Sequence, residues 1–299
     1  MNTTPNSMHT PSIQSRLPNM GTTIFSVMSA LAQEKGAVNL GQGFPDFACD
    51  PQLLSAVNDA MQAGHNQYPL MTGAPVLRQA IAAKIAALYQ HQYNANTEIT
   101  ITAGATQALL TAILCCVHAG DEVVYIEPAL IINSPHNPTG SILRPHDMHA
   151  LRDILAGTDI ILLSDEVYEH MVYDGQQHES VCRYPDLAAR AFVVSSFGKT
   201  YHVTGWKVGY VAAPAAMMAE FRKIHQYNVF TVNTPMQHGL ASYMSNAAPY
   251  LELPQFYQRK RDLFRAGLAH TRFELLPADG TYFQSVPWAR HALSGRTGR

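Results

Sequence analysis

Three side chains could do acid–base or nucleophilic chemistry if the fold brought them together: Lys199, Asp165 and Tyr168. Lys199 sits in Ser195-Ser196-Phe197-Gly198-Lys199-Thr200, directly after the apolar run Ala191–Val194. A lysine amine among small and apolar neighbours is a partly desolvated nucleophile, able to form a Schiff base with a carbonyl. The same six residues look like the end of a phosphate-binding P-loop. That motif needs a glycine five residues ahead of Gly198, and position 193 is Val. Asp165 closes a second apolar run. A buried carboxylate there can hold the proton of a cofactor's ring nitrogen, or it can simply cap a helix; both readings stand. Tyr168 follows three residues later and can face the same place. Gly104-Ala105-Thr106 follows Glu98–Thr102 and opens a helix. Free N–H groups at a helix start suit a phosphate, although Thr106 also suits an ordinary cap.

These residues share one kind of position, the end of an apolar strand. The pattern predicts strands at Glu98–Thr102, Glu122–Ile126, Leu130–Asn133, Asp159–Leu163 and Ala191–Val194. Helices are predicted at Thr23–Lys35, Gln52–Ala63, Ala74–Gln90, Ala105–Val117 and Pro145–Ala156. Apolar strands alternating with helices predict an α/β fold, a mostly parallel sheet covered on both faces. Ligands bind such sheets at the carboxyl ends of the strands. Ala103–Thr106, Ser134–Gly140, Ser164–Tyr168 and Ser195–Thr200 would therefore converge on one rim, and that convergence is the functional signal.

Composition narrows the classes. The chain has 299 residues, 14% of them charged, against about 25% in a typical protein. With 47% hydrophobic residues it can build a large core. Twenty basic and 22 acidic residues leave a net charge of −2, which argues against a general nucleic-acid binder. Cys49, Cys115, Cys116 and Cys182 form no CxxC pair, so they read as free thiols of a cytoplasmic protein. The N-terminus lacks an apolar signal core. The longest apolar stretch, Ala108–Val117, is shorter than the ~20 residues that span a membrane. His146 and His149 are the one close helical histidine pair, and they read as an exposed face rather than a metal site.

In their joint order, NSPHNPTG (133–140), SDEVYE (164–169) and SSFGKTYHVTGWKVGY (195–210) resemble the class I, fold-type I pyridoxal-phosphate aminotransferases. LGQGFPDF (40–47) and YPLMTGAPVLRQAIA (68–82) resemble the methionine, kynurenine and glutamine aminotransferase group in particular. The resemblance implies the cofactor pyridoxal 5′-phosphate (PLP), with Lys199 as its Schiff-base lysine. It implies that Asp165 pairs with the pyridine nitrogen, and that Asn137 and Tyr168 bind the 3′-oxygen. Gly104, Ala105, Thr106, Ser196 and Lys207 would hold the phosphate. Tyr68 would reach the phosphate of a neighbouring subunit, implying a homodimer, and Gly43 would lie beside the substrate carboxylate. The substrates implied are an amino acid and a 2-oxo acid, with no nucleic acid and no membrane as partners.

Two departures from that family stand out. Only Glu127-Pro128-Ala129 separates the predicted strands 122–126 and 130–133, whereas consecutive parallel strands need a crossover of about a dozen residues. A block carrying the ring-stacking aromatic residue is expected to be missing there. The family's small domain also continues beyond GTYFQ (280–284), and its carboxylate-binding arginine has no match in Arg290, Arg296 or Arg299. The expected organisation is an arm and part of a small domain at 1–44, a PLP-binding large domain at 45–245, and a truncated small domain at 246–299. Two alternatives remain beside transamination: a β-lyase acting on cysteine conjugates, and a non-catalytic remnant.

Overall fold

A computed structural model describes residues 13–15, 17–41, 43, 45, 47–121 and 132–287. The expected strand at 122–126, the junction at 127–129 and the three tail arginines lie outside the described residues. The chain divides into two compact units, Met1–Gly43 and Phe44–Arg299. The first holds helix α1 (Ile24–Glu34), capped by Thr23, whose hydroxyl accepts from the Ser26 N–H. Everything that follows belongs to the second.

Its helices are α2 (Pro51–Gln62), α3 (Pro75–Tyr89), α4 (Gly104–Cys116), α5 (Pro145–Leu155), α6 (Pro185–Ala188), α7 (Phe197–Thr200), α8 (Ala215–Asn228), α9 (Thr234–Tyr243), α10 (Ala248–Leu251) and α11 (Leu253–Leu268). Its strands are β1 (Ile99–Thr102), β2 (Ile132–Asn133), β3 (Leu162–Asp165), β4 (Ala191–Ser196) and β5 (Gly209–Ala212). They form one sheet in the order β1-β5-β4-β3-β2. β2, β3 and β4 pair in parallel, while β5 runs antiparallel to both β4 and β1. Four strands therefore share one direction.

Alternation along the strands splits the core between the two faces of the sheet. Val193, Tyr210, Ala212, Ile99 and Ile101 join the core built with α3, including Leu77, Ile81 and Ile85. Phe192, Val194 and Val211 join Ala108 and Ala112 of α4 and Met218 and Phe221 of α8 on the other face. This is the doubly covered sheet that the apolar strands imply.

Two elements differ from expectation. β3 begins at Leu162 rather than Asp159. The Arg190 guanidinium donates to the carbonyls of Leu155, Thr158 and Ile160 at 3.0, 2.8 and 3.2 Å, which holds that stretch as a turn. β5 escapes sequence reading because its four residues, Gly209 to Ala212 ahead of Ala213-Pro214, carry little periodicity of their own.

Behind the sheet lies a buried polar network. Glu169 accepts from Lys84 Nζ at 2.7 Å, from the Ser195 hydroxyl at 2.6 Å and from the Tyr210 hydroxyl at 3.2 Å, and also from the Tyr89 hydroxyl. Burial alone would raise this carboxyl, but Lys84, His170 and the hydrogen bonds hold it well below the ordinary glutamate range. Removing one partner of a buried ion pair strands the other charge. Lys84→Met is accordingly expected to destabilise the fold by about 3 kcal/mol or more in urea unfolding, and Lys84→Met/Glu169→Gln to recover part of the loss. Equal stability of Lys84→Met and the wild type would contradict this account.

Candidate active site

Because β1, β2, β3 and β4 point the same way, the segments leaving their C-terminal ends meet on one edge of the sheet. They line a cavity of about 360 Å³. Gly104, Ala105 and Thr106 follow β1; Asn133 and Asn137 come from β2 and its loop; Asp165, Val167 and Tyr168 from β3 and its loop. Ser196, Gly198 and Lys199 follow β4, and Thr204 and Lys207 precede β5. Every residue expected at the site lines this cavity except Tyr68 and Gly43. Tyr68 is exposed beside a second pocket, with His65, Gln67 and His238. Gly43 ends the first unit.

One wall is built for an anion. Gly104 starts α4 at φ +77°, a conformation that favours glycine. A Cβ there would come within 3.4 Å of Lys207 Nζ, so the lysine ammonium lies against the helix start. Ala103 provides no side-chain cap, which leaves the first-turn N–H groups without a side-chain partner at that end. Gly209 of β5 lets three backbones close up: a Cβ on it would stand 2.8 Å from the Ser195 carbonyl oxygen and 3.0 Å from the Gly104 carbonyl carbon. A helix N-terminus beside an ammonium suits a phosphate.

The opposite side carries acid–base groups. Asp165 Oδ1 accepts from the Val167 N–H at 3.2 Å. Burial pushes this carboxyl up to about 6, against the pull of that hydrogen bond and of nearby Lys199. Asn133 fixes the neighbourhood, donating to the Asp165 carbonyl at 3.0 Å and accepting from the Asn137 N–H at 2.7 Å. Tyr168 is almost wholly buried, and its hydroxyl makes no well-formed hydrogen bond. Burial and the adjacent Tyr282 hydroxyl push this phenol up. Lys199 Nζ donates to the Tyr282 hydroxyl at 2.8 Å and lies 5.6 Å from the centre of the Tyr168 ring.

Asn133, Thr204 and Tyr282 were missed in the sequence. Asn133 begins the NSPHNPTG motif, a signal that could have flagged it. Tyr282 lies 83 positions from Lys199, and the GTYFQ segment (280–284) is the signal that could have flagged it.

The sequence model of the aminotransferase class I and II family matches residues 35–129 and 127–294. The chain belongs to this family. Its members are PLP-dependent aminotransferases of fold type I, and transamination is this chain's class of activity. Methionine aminotransferase of Escherichia coli is 44% identical over 320 residues, covering 92% of this chain and 83% of that protein. A crystal structure from E. coli, described as identifying a methionine aminotransferase function, superposes with a TM-score of 0.87 at 43% identity, covering 92% and 84% of the two chains. The structure of N-succinyldiaminopimelate aminotransferase from Mycobacterium tuberculosis gives 0.84 at 33% identity, covering 91% and 82%. The first alignment spans 320 positions, more than the 299 residues of this chain, so that aminotransferase carries residues with no counterpart here. The two matched segments of the family meet at 127–129, where the short strand connection had already pointed to a missing block.

The cavity fits the family's cofactor. It offers a cationic helix start for a phosphate, a buried phenol lacking a partner, and a carboxyl whose surroundings favour a proton nearby. Among the described residues no helix is long and apolar enough to cross a membrane.

The raised carboxyl has a consequence for stability. The folded chain keeps a proton on Asp165 at pH values where the unfolded chain has lost it. Stability from this group is therefore present below about pH 4 and is lost as pH rises through about 6. Without added PLP, Asp165→Asn is expected to gain stability relative to the wild type between pH 4 and pH 7, by about 2–3 kcal/mol. Urea melts at the two pH values test it, and a constant difference between the proteins would refute the assignment.

Proposed function

We propose that this chain transaminates methionine or a similar amino acid with a 2-oxo acid, using PLP held on Lys199. The observation that carries this reading is the single cavity that gathers Lys199, Asp165, Tyr168, Asn137, Ser196, Lys207 and the start of α4. The methionine preference rests on the 44% identity to the E. coli enzyme. When bound, the cofactor supplies an electron sink for the carbanion left when an amino acid loses its α-proton.

The protein's part is binding, orientation and proton transfer. Lys199 Nζ anchors the cofactor and, once freed, takes and returns a proton. Asp165 keeps the pyridine nitrogen protonated, and that cation in turn favours the charged carboxylate. Tyr168 and Asn137 hydrogen-bond the 3′-oxygen, which gives the buried Tyr168 hydroxyl its partner. The N–H groups of Ala105 and Thr106, with Ser196 and Lys207, hold the phosphate beside Gly104. Lys207 acts as a point charge here, without the bidentate fork of an arginine. Ser196 already accepts from the Gly198 N–H at 3.2 Å, so its hydroxyl hydrogen is free to face a phosphate oxygen. In this reading Tyr68 serves the neighbouring subunit of a homodimer, which agrees with its exposure away from the cavity. The chain works in the cytoplasm, in keeping with its unpaired cysteines.

The deciding experiment adds PLP to the purified chain, reduces with borohydride and maps the labelled peptide. Label is expected on Lys199 alone, and none there in Lys199→Ala. With methionine and a 2-oxo acid the wild type should turn over, and Lys199→Ala should lose at least about 1000-fold in kcat. Label scattered over surface lysines, or no label, would overturn the proposal.

A further inference from the structure

Tyr282 belongs to none of the segments that leave the strand ends, yet it touches the central lysine. It arrives on a stretch stapled to two cavity loops. The Asp279 and Gly280 N–H groups donate to the Gly140 carbonyl at 2.9 and 2.8 Å, and the Tyr173 N–H donates to the Asp279 carbonyl at 2.9 Å. Gly280 also bridges Val172.

The next residue is the telling one. Thr281 is buried and adopts φ +61°, in the left-handed region. For a β-branched residue this is a costly conformation, kept only where surrounding contacts enforce it. Here they do. Its N–H donates to the Met171 carbonyl at 3.0 Å, its carbonyl accepts from the Tyr173 hydroxyl, and its own hydroxyl accepts from the Phe283 N–H at 3.2 Å. Strain of this kind gathers where a side chain must be aimed. What Thr281 aims is Tyr282. That ring packs edge-on against Tyr168, with centroids 5.5 Å apart and planes at 85°, and its hydroxyl accepts from Lys199 Nζ at 2.8 Å.

We propose that Tyr282 is a positioning residue: its hydroxyl, aimed by the strained turn at Thr281, orients the Lys199 amine for attack on the cofactor's aldehyde carbon. The inference rests on the reading of Lys199 as the residue that bonds PLP. Lysine is a long, freely rotating side chain, and one N–H given to a fixed phenol removes much of that freedom. With one N–H so directed, the lone pair of the neutral amine is confined to the remaining tetrahedral directions. In the capture step a carbon–nitrogen bond forms, and the aldehyde oxygen leaves as water with the two amine protons. The phenol is neither consumed nor ionised. Misplacement of a reacting atom by about 1 Å can cost about 100-fold, so loss of one orienting bond is expected to be visible.

The test compares the wild type with Tyr282→Phe, which keeps the ring and removes the hydroxyl. Two measurements are made on the chain mixed with ligand and without substrate. One is the rate of covalent PLP capture, followed by absorbance and located by borohydride trapping. The other is the affinity for 4-deoxypyridoxine 5′-phosphate, which lacks the aldehyde. The expected result is capture at Lys199 slowed about tenfold in Tyr282→Phe with unchanged analogue affinity. A purely structural role would move both measurements or neither. Equal capture rates overturn the proposal and leave Lys199 as the anchoring residue. Capture and analogue affinity falling in proportion also overturn it, making Tyr282 part of the cradle. Absence of capture at Lys199 in the wild type overturns the functional reading and this inference together.

Discussion

The site depends on a carboxylate that never faces it. Glu169 is buried behind the sheet and is held by Lys84 and Tyr89 from α3, Ser195 from β4 and Tyr210 from β5. Two residues of this network adjoin cavity residues. Glu169 follows Tyr168 in the turn after β3, and Ser195 precedes Ser196 in β4, where successive side chains point to opposite faces. Tying Glu169 to Ser195 therefore fixes how Tyr168 and Ser196 present themselves in front. Glu166 repeats the device one residue after Asp165. Its carboxylate accepts from the Ser164 hydroxyl at 2.9 Å and the Val181 N–H at 3.0 Å, and it contacts His178 Nε2 at 2.9 Å.

The two sides of these segments contrast in polar satisfaction. Behind, each buried carboxylate has several donors, the condition under which a buried network rigidifies its surroundings. In front, the Tyr168 hydroxyl lacks a well-formed bond, α4 has no side-chain cap, and Asp165 is pushed toward its neutral form. Folds do not leave such groups in their cores without a reason. A ligand with an anionic end, a ring nitrogen and a phenolic oxygen would relieve all three at once. The frame behind the site, whose own polar groups are satisfied, offsets the cost of these groups.

Much of this was legible from sequence because the chemistry sits where strands end, and strand ends can be read from apolar runs followed by small polar residues. Gly104, Asn137, Asp165, Ser196 and Lys199 each occupy such a place, and the structure gathers them. Lys207 was legible only through the family pattern, since no apolar run precedes it. The antiparallel β5 was not foreseen, because four residues do not declare a direction. The start of β3 was misplaced, because the hydrogen bonds from Arg190 that hold 155–160 as a turn come from thirty or more residues away. Tyr282 stands in the GTYFQ segment that carries the family resemblance, but its contact with Lys199 was missed for the same reason. Its position is set by Met171, Tyr173 and Gly140, contacts that join distant parts of the chain.

The junction at 127–129, where the two family segments meet, bears unequally on this site. It precedes β2, which among the described strands lies at the edge of the sheet and is two residues long. β3, β4, β5 and β1 pair with one another without it. The start of α4, Lys207 and Lys199 hang on those four strands. Asn133 and Asn137 hang on β2, joined to β3 through Ile132 opposite Ser164, Asn133 opposite Asp165, and the Ser134 N–H donating to the Asp165 carbonyl at 3.2 Å. Residues absent at the junction are therefore felt first at Asn133 and Asn137, and least at the start of α4 and at Lys199. The start of α4 with Lys199, and the side of the cavity carrying Asn133 and Asn137, therefore hang on different strands of the sheet.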